Sequence, residues 1–268
     1  MRPGPTVRRA PVAALGAAAL AAALRAAALL AALAAAGAGG AGAAPPEVKV
    51  AFDADLARPD DRAAYERQLR EMVADARARV VAGVGMEPAL RTEVQVHSRA
   101  GFEARFGAEA AGRDAARFEG DVIHLNGGAR LDDRVAGLLV HELTHAALDA
   151  GGRARSLPRW LDEGLARRLE MARRGLSRPA PNQAAELRQA RDAGRLVPLP
   201  REGELDPLGY LRAWAAVTWM EERFGRDRVL AVVKATLAGE PFGSALRRET
   251  GLSEDDLDAA FSAWVGKS

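Results

Sequence analysis

Leu131-Asp132-Asp133-Arg134-Val135-Ala136-Gly137-Leu138-Leu139-Val140-His141-Glu142-Leu143-Thr144-His145-Ala146-Ala147-Leu148 is the stretch on which the fold turns. Val135, Leu138, Leu139, Leu143 and Ala146 recur at three- or four-residue steps, the period of a helix with one buried face. Asp132 or Asp133 supplies the side-chain oxygen that caps its first free N–H groups. Four residues apart on such a helix, His141 and His145 sit one turn above the other, so their imidazoles can grip one metal ion. Glu142, one residue along, is set to handle a proton of a water on that ion.

A zinc ion held this way needs a third protein ligand. The chain contains no cysteine, and no histidine follows His145, so the third ligand is expected to be a carboxylate unless an upstream histidine reaches the metal. Asp149 lies one turn beyond His145 and about two turns beyond His141, too far to converge with both on an unbroken helix. Glu163 is better placed, because an antiparallel helix starting near Trp160 would bring its first turn back beside the histidines. Asp162 points about 100° away around that same helix. Glu163 is therefore the favoured ligand, with Asp162 and Asp149 as alternatives.

Toward the N-terminus, strand-like alternation is expected at Val48–Phe52, 91–97 and 121–126, with a helix from Pro59 to about Val81 and a short one capped by Ser98. Toward the C-terminus the pattern is helical: Trp160–Met171, then about 182–192, 207–224, 226–238, 241–249 and 253–264. Strands in the first half and helices alone in the second predict an α+β fold: a small N-terminal sheet with the histidine-bearing helix, followed by an all-helical C-terminal half. Three segments are expected: a signal-like or anchor stretch over 1–44, an α+β subdomain over 45–150, and a helical subdomain over 151–268 that supplies the third ligand.

Of the 268 residues, 38 are Lys or Arg and 36 are Asp or Glu. Four of those arginines (Arg2, Arg8, Arg9, Arg25) fall in the first 44 residues, which hold no acid, so the chain body has no excess of cations and nucleic acid is not an expected partner. The absence of cysteine excludes disulfides, thiolate zinc sites and cysteine nucleophiles. Basic residues, an alanine-rich run and small residues near 36–43 have the layout of an export signal. Residues 10–36 would also be long enough to cross a bilayer, which makes membrane association an alternative, and a soluble helical extension is a third. The expected location is exported, periplasmic or extracellular, or held at the membrane.

The motif His141-Glu142-Leu143-Thr144-His145, with Leu157-Pro158-Arg159-Trp160-Leu161-Asp162-Glu163-Gly164-Leu165-Ala166 downstream, resembles the gluzincin metallopeptidases, specifically their peptidase MA-like domains. The resemblance covers about 90–268. It implies that Glu142 is the general base, that His141, His145 and Glu163 bind zinc, and that a strand before the motif helix, here 122–126, forms the edge of a cleft for a peptide or protein substrate. It also assigns a helix from Tyr210 through Trp219-Met220 to Gly225, whose tyrosine can donate to the carbonyl oxygen of the substrate; packing is the alternative role for Tyr210. Thermolysin-like members carry an aspartate four residues after the metal glutamate. Here that position is Arg167, so support for a zinc histidine is expected from Asp162 or a backbone carbonyl. A catalytically inactive, zinc-stabilised interaction module is the competing reading. His97 and His124 are expected to pack, with His124 as a possible substrate contact. Trp160, Trp214 and Trp219 fit core positions. Arg153, Arg155, Arg159, Arg167 and Arg168 either solvate helices or, facing the cleft, would favour acidic substrates.

Overall fold

Alternation and helical periodicity give, in chain order, β1 (Lys49–Phe52), α1 (Arg62–Val84), β2 (Glu93–His97), α2 (Arg99–Phe106), α3 (Ala108–Arg113), β3 (Ala116–Glu119), β4 (Val122–Asn126), α4 (Asp133–Leu148), α5 (Arg159–Arg173), α6 (Pro181–Asp192), α7 (Pro207–Phe224), α8 (Arg226–Leu237), α9 (Phe242–Thr250) and α10 (Glu254–Val265). This computed structural model describes residues 49–53, 62–88, 93–113, 115–119, 122–127, 130–149 and 156–267. The signal-like stretch, Arg153 and Arg155 lie outside the described residues. Among the described residues no helix is long and apolar enough to cross a membrane.

The fold is α+β. Its sheet has the order β1-β2-β4-β3, with β1, β2 and β4 parallel and β3 antiparallel to β4. The first crossover, β1-α1-β2, lays α1 across one face, where Leu69, Val73, Ala76 and Val80 meet Val94, Val96, Ile123 and Leu125. Val135, Leu139, Val140 and Leu143 of α4 complete that core. Asp132 is the cap of α4: its carboxylate accepts from the backbone N–H of Arg134 at 2.9 Å and of Val135 at 3.1 Å.

The strand order corrects one expectation. Val122–Asn126 is not the edge of the sheet, since it is paired with β2 on one side and β3 on the other. The edge beside α4 is β3, four residues whose strand character was not apparent from the sequence. His124 accordingly sits 4% exposed on the opposite face of the sheet, its Nδ1 2.8 Å from Nε2 of His97, whose Nδ1 is 3.1 Å from Asp53. It does not line the cleft. Burial pushes the His124 imidazole down to about 4, aided by the Arg105 and His97 charges.

A second core gathers the helices around α7, with Trp160, Leu161, Leu165, Trp214, Val217, Met220 and Phe261 buried together. The three tryptophans expected in the core are there, at 3%, 1% and 4% exposure for Trp160, Trp214 and Trp219. Gly164 sets how closely α5 approaches α7. A Cβ at that position would stand 2.5 Å from the Ala213 carbonyl oxygen and 2.6 Å from Val217 Cγ2. Backbone cannot yield as a flexible side chain does, so Gly164→Ala is expected to destabilise the fold by about 1–3 kcal/mol through overpacking, despite alanine's better helix propensity. A thermal melt checks it, and an unchanged or raised midpoint would show that α5 and α7 can separate freely.

Candidate metal centre

His141 and His145 project from the same face of α4, and Glu163 comes from the first turns of α5, the neighbouring helix. Each offers a ligand atom within 4.8 Å of the others. The inner atoms are closer still: His145 Nε2 to His141 Nε2 is 3.1 Å, His141 Nε2 to Glu163 Oε2 is 3.3 Å, and His145 Nε2 to Glu163 Oε2 is 3.6 Å. Zinc bonds near 2.0–2.1 Å at tetrahedral angles require ligand atoms about 3.3 Å apart. Glu163 is 2% exposed, and its Oε2 is buried without a hydrogen-bond partner. A buried carboxylate oxygen left in that condition is costly unless a cation completes it. These residues fit a metal ion.

Behind each histidine stands a second carboxylate. His145 Nδ1 is hydrogen-bonded to Asp162 Oδ1 at 2.9 Å, whereas His141 Nδ1 lies 3.3 Å from Glu170 Oε2, an ion-pair contact without hydrogen-bond geometry. Carboxylates in that place fix the imidazole orientation and turn the other nitrogen toward a metal. Asp162 thus stands behind His145 and outside the group that could hold an ion. Asp149 caps the C-terminus of α4 and stands outside the ligand group, though it lines the cleft. Glu170 was not singled out from the sequence. Its signal was there: seven residues after Glu163 it returns to the same helical face. Arg167, which occupies the place of the missing aspartate, donates to Glu170 Oε2 at 2.7 Å, so it holds the substitute support in position.

Electrostatics follow from this crowding. Burial alone would depress the His141 imidazole, but the Glu163 and Glu170 carboxylates outweigh it and hold His141 up at about 9. Burial of His145 is likewise outweighed by Asp162 and Glu163, which hold it well above its ordinary value. Burial would raise Glu163, yet the two imidazoles win and keep it ionised far below the usual carboxylate range.

Glu142 points from α4 to the sheet edge. Its Oε2 accepts from the backbone N–H of Phe118 in β3 at 2.9 Å. That N–H therefore faces away from β4, and the Phe118 carbonyl, on the same side of an extended strand, does too. A cleft of about 890 Å³ lies between β3 and the helices, with the ligand triad and Glu142 in its wall. Tyr210, in the first turn of α7, lines this cleft, as does Trp214 one turn on. Arg159 and Arg167 also line it, but both are engaged in ion pairs with acids of α5, and Arg168 pairs with Glu221 at 2.9 Å. The expectation that these cations select acidic substrates finds no free charge among the three.

Compared with known proteins, the chain matches no protein-family model and no curated protein sequence.

Proposed function

We propose that this chain is a zinc-dependent metallopeptidase of the gluzincin type, cleaving peptide bonds in the cleft between β3 and α5–α7. The observation that carries the reading is the meeting of two constellations in one wall: an inner triad at tetrahedral spacing, and a carboxylate, Glu142, hydrogen-bonded to the strand edge that lines the cleft. A structural metal site would need the first and not the second, because structural sites are closed by a fourth protein ligand. Among the described residues the ligand group has three members.

Held by His141, His145 and Glu163, a zinc ion would supply Lewis acidity to the scissile carbonyl and would lower the pKa of water toward neutrality. The chain's own residues do the rest. The Phe118 carbonyl and the other outward-facing groups of β3 align an extended peptide along the sheet edge, the Phe118 N–H being taken by Glu142. Phe118 engages Glu142 Oε2, which leaves Oε1 to take the proton from the attacking water and return it to the departing amine. Tyr210 donates to the carbonyl oxygen as negative charge gathers on it. Asp162 and Glu170 keep both histidines facing inward.

The test combines zinc content with turnover of an unbiased peptide library by the full chain. Stoichiometric zinc and cleavage that a chelator abolishes and added zinc restores are expected. Stoichiometric zinc with no cleavage would establish the competing reading, a zinc-stabilised interaction module, and absence of zinc would remove both.

A further inference from the structure

One guanidinium touches both carboxylates that begin α5. Arg159 Nη2 lies 2.6 Å from Glu163 Oε1, and Arg159 Nη1 lies 3.3 Å from Asp162 Oδ2. In each carboxylate the other oxygen faces the histidines: Glu163 Oε2 toward both Nε2 atoms, Asp162 Oδ1 toward His145 Nδ1. We infer that Arg159 is a positioning residue that divides both carboxylates, keeping Glu163 Oε1 occupied so that only Oε2 is offered to the metal, while fixing Asp162 behind His145. The inference rests on the metal-site reading above and concerns how many oxygens the site presents.

Three further observations favour this role over an incidental surface pair. Arg159 is the first residue of α5, where a positive charge opposes the helix dipole and needs compensation. Its backbone is pinned, with its N–H donating to the Arg201 carbonyl at 2.8 Å and the next N–H, that of Trp160, to the Pro200 carbonyl at 2.9 Å. And the Glu163 side chain it engages is 3% exposed, so the carboxylate end of the contact is shielded from water although the Arg159 side chain is 38% exposed. A planar fork with parallel donors can serve two acceptors at once. Lysine, a single point charge, cannot hold both in the same geometry.

A carboxylate freed at Oε1 is able to swing and present both oxygens, raising the coordination number and closing the position that water needs. The experiment is therefore spectroscopic. Cobalt(II) is loaded into the full-length protein and into Arg159→Ala and Arg159→Lys, and visible absorption is recorded; four-coordinate cobalt absorbs far more strongly than five- or six-coordinate cobalt. Zinc affinity is measured in parallel by competition with a chromophoric chelator, and circular dichroism confirms the fold. Both variants are expected to lose most of the tetrahedral absorption and about 10–100-fold in zinc affinity, the usual scale for outer contacts of metal ligands. Arg159→Lys is expected to recover little of either. A folded Arg159→Ala with unchanged cobalt spectrum and zinc affinity would overturn the inference while leaving the zinc reading intact. Full recovery by Arg159→Lys would overturn the two-carboxylate clamp in favour of simple charge compensation. Failure of the unaltered protein to bind either metal would overturn both the inference and the reading on which it rests.

Discussion

Glu142→Gln is expected to lower peptide turnover by about a hundred- to ten-thousand-fold with zinc still bound. Glu142 is outside the ligand group, so the three inner atoms are untouched by the change. The amide is isosteric and keeps an oxygen to accept from Phe118, so neither a cavity nor an unpaired N–H is created. What disappears is the capacity to hold a proton. Glu163→Ala makes the contrast, because it removes Oε2 from a triad with no described replacement, and zinc affinity is expected to fall by more than the loss expected from an outer contact. Zinc content and library cleavage measured on both variants separate the two roles. Undiminished cleavage by Glu142→Gln, with contaminating protease excluded, would remove Glu142 as the base.

Zinc uptake at pH 7 is expected to expel protons. Around the triad stand the carboxylates of Glu142, Asp162, Glu163 and Glu170, against the guanidinium groups of Arg159 and Arg167. The acids outnumber the bases. Without metal those carboxylates favour protonation of the imidazole pair, with His141 and His145 both held above their ordinary value. A dication takes over that balance and needs the imidazole lone pairs, so the protons leave. Calorimetric titration in two buffers of different ionisation enthalpy reads the number directly; a value near zero would mean that the histidines are already neutral. The same linkage sets the stability of the metal-free protein. Raised histidine values contribute stability that is fully present below about 6.5 and is lost as pH rises through about 9 for His141, so its melting midpoint should fall across that interval. His124 acts oppositely: its depressed value costs stability as pH falls from about 6.5 toward 4.

The histidine-bearing helix and its partner were legible because their information is local. Histidines at i and i+4, the apolar stripe from Val135 to Ala146, and the absence of cysteine and of later histidines lead to Glu163 without any knowledge of the sheet. β3 was not legible. Ala116-Arg117-Phe118-Glu119 is too short for its alternation to stand out, and its strand character comes from pairing with β4. Assigning the cleft edge to 122–126 failed for a related reason: strand order is decided by crossovers that a linear pattern does not record. The support of His141 by Glu170 was readable in principle from helical phase. The Arg159 fork was not, since it depends on where the guanidinium comes to rest.

The pairing of α4 with α5 also bears on how the protein reaches its native state. All three ligands fall within residues 141–163, whereas the sheet joins Lys49 to Glu93 and Glu93 to Val122. Closing a helical hairpin of that span is entropically cheaper and faster than assembling parallel strands across long crossovers. The ligand set is thus a low-contact-order element inside a fold whose sheet is high in contact order. An ion captured by the hairpin would stabilise the ensemble at the top of the folding barrier as well as its end point. Zinc would then appear in refolding kinetics mainly as a faster folding limb, with a smaller effect on the rate of unfolding.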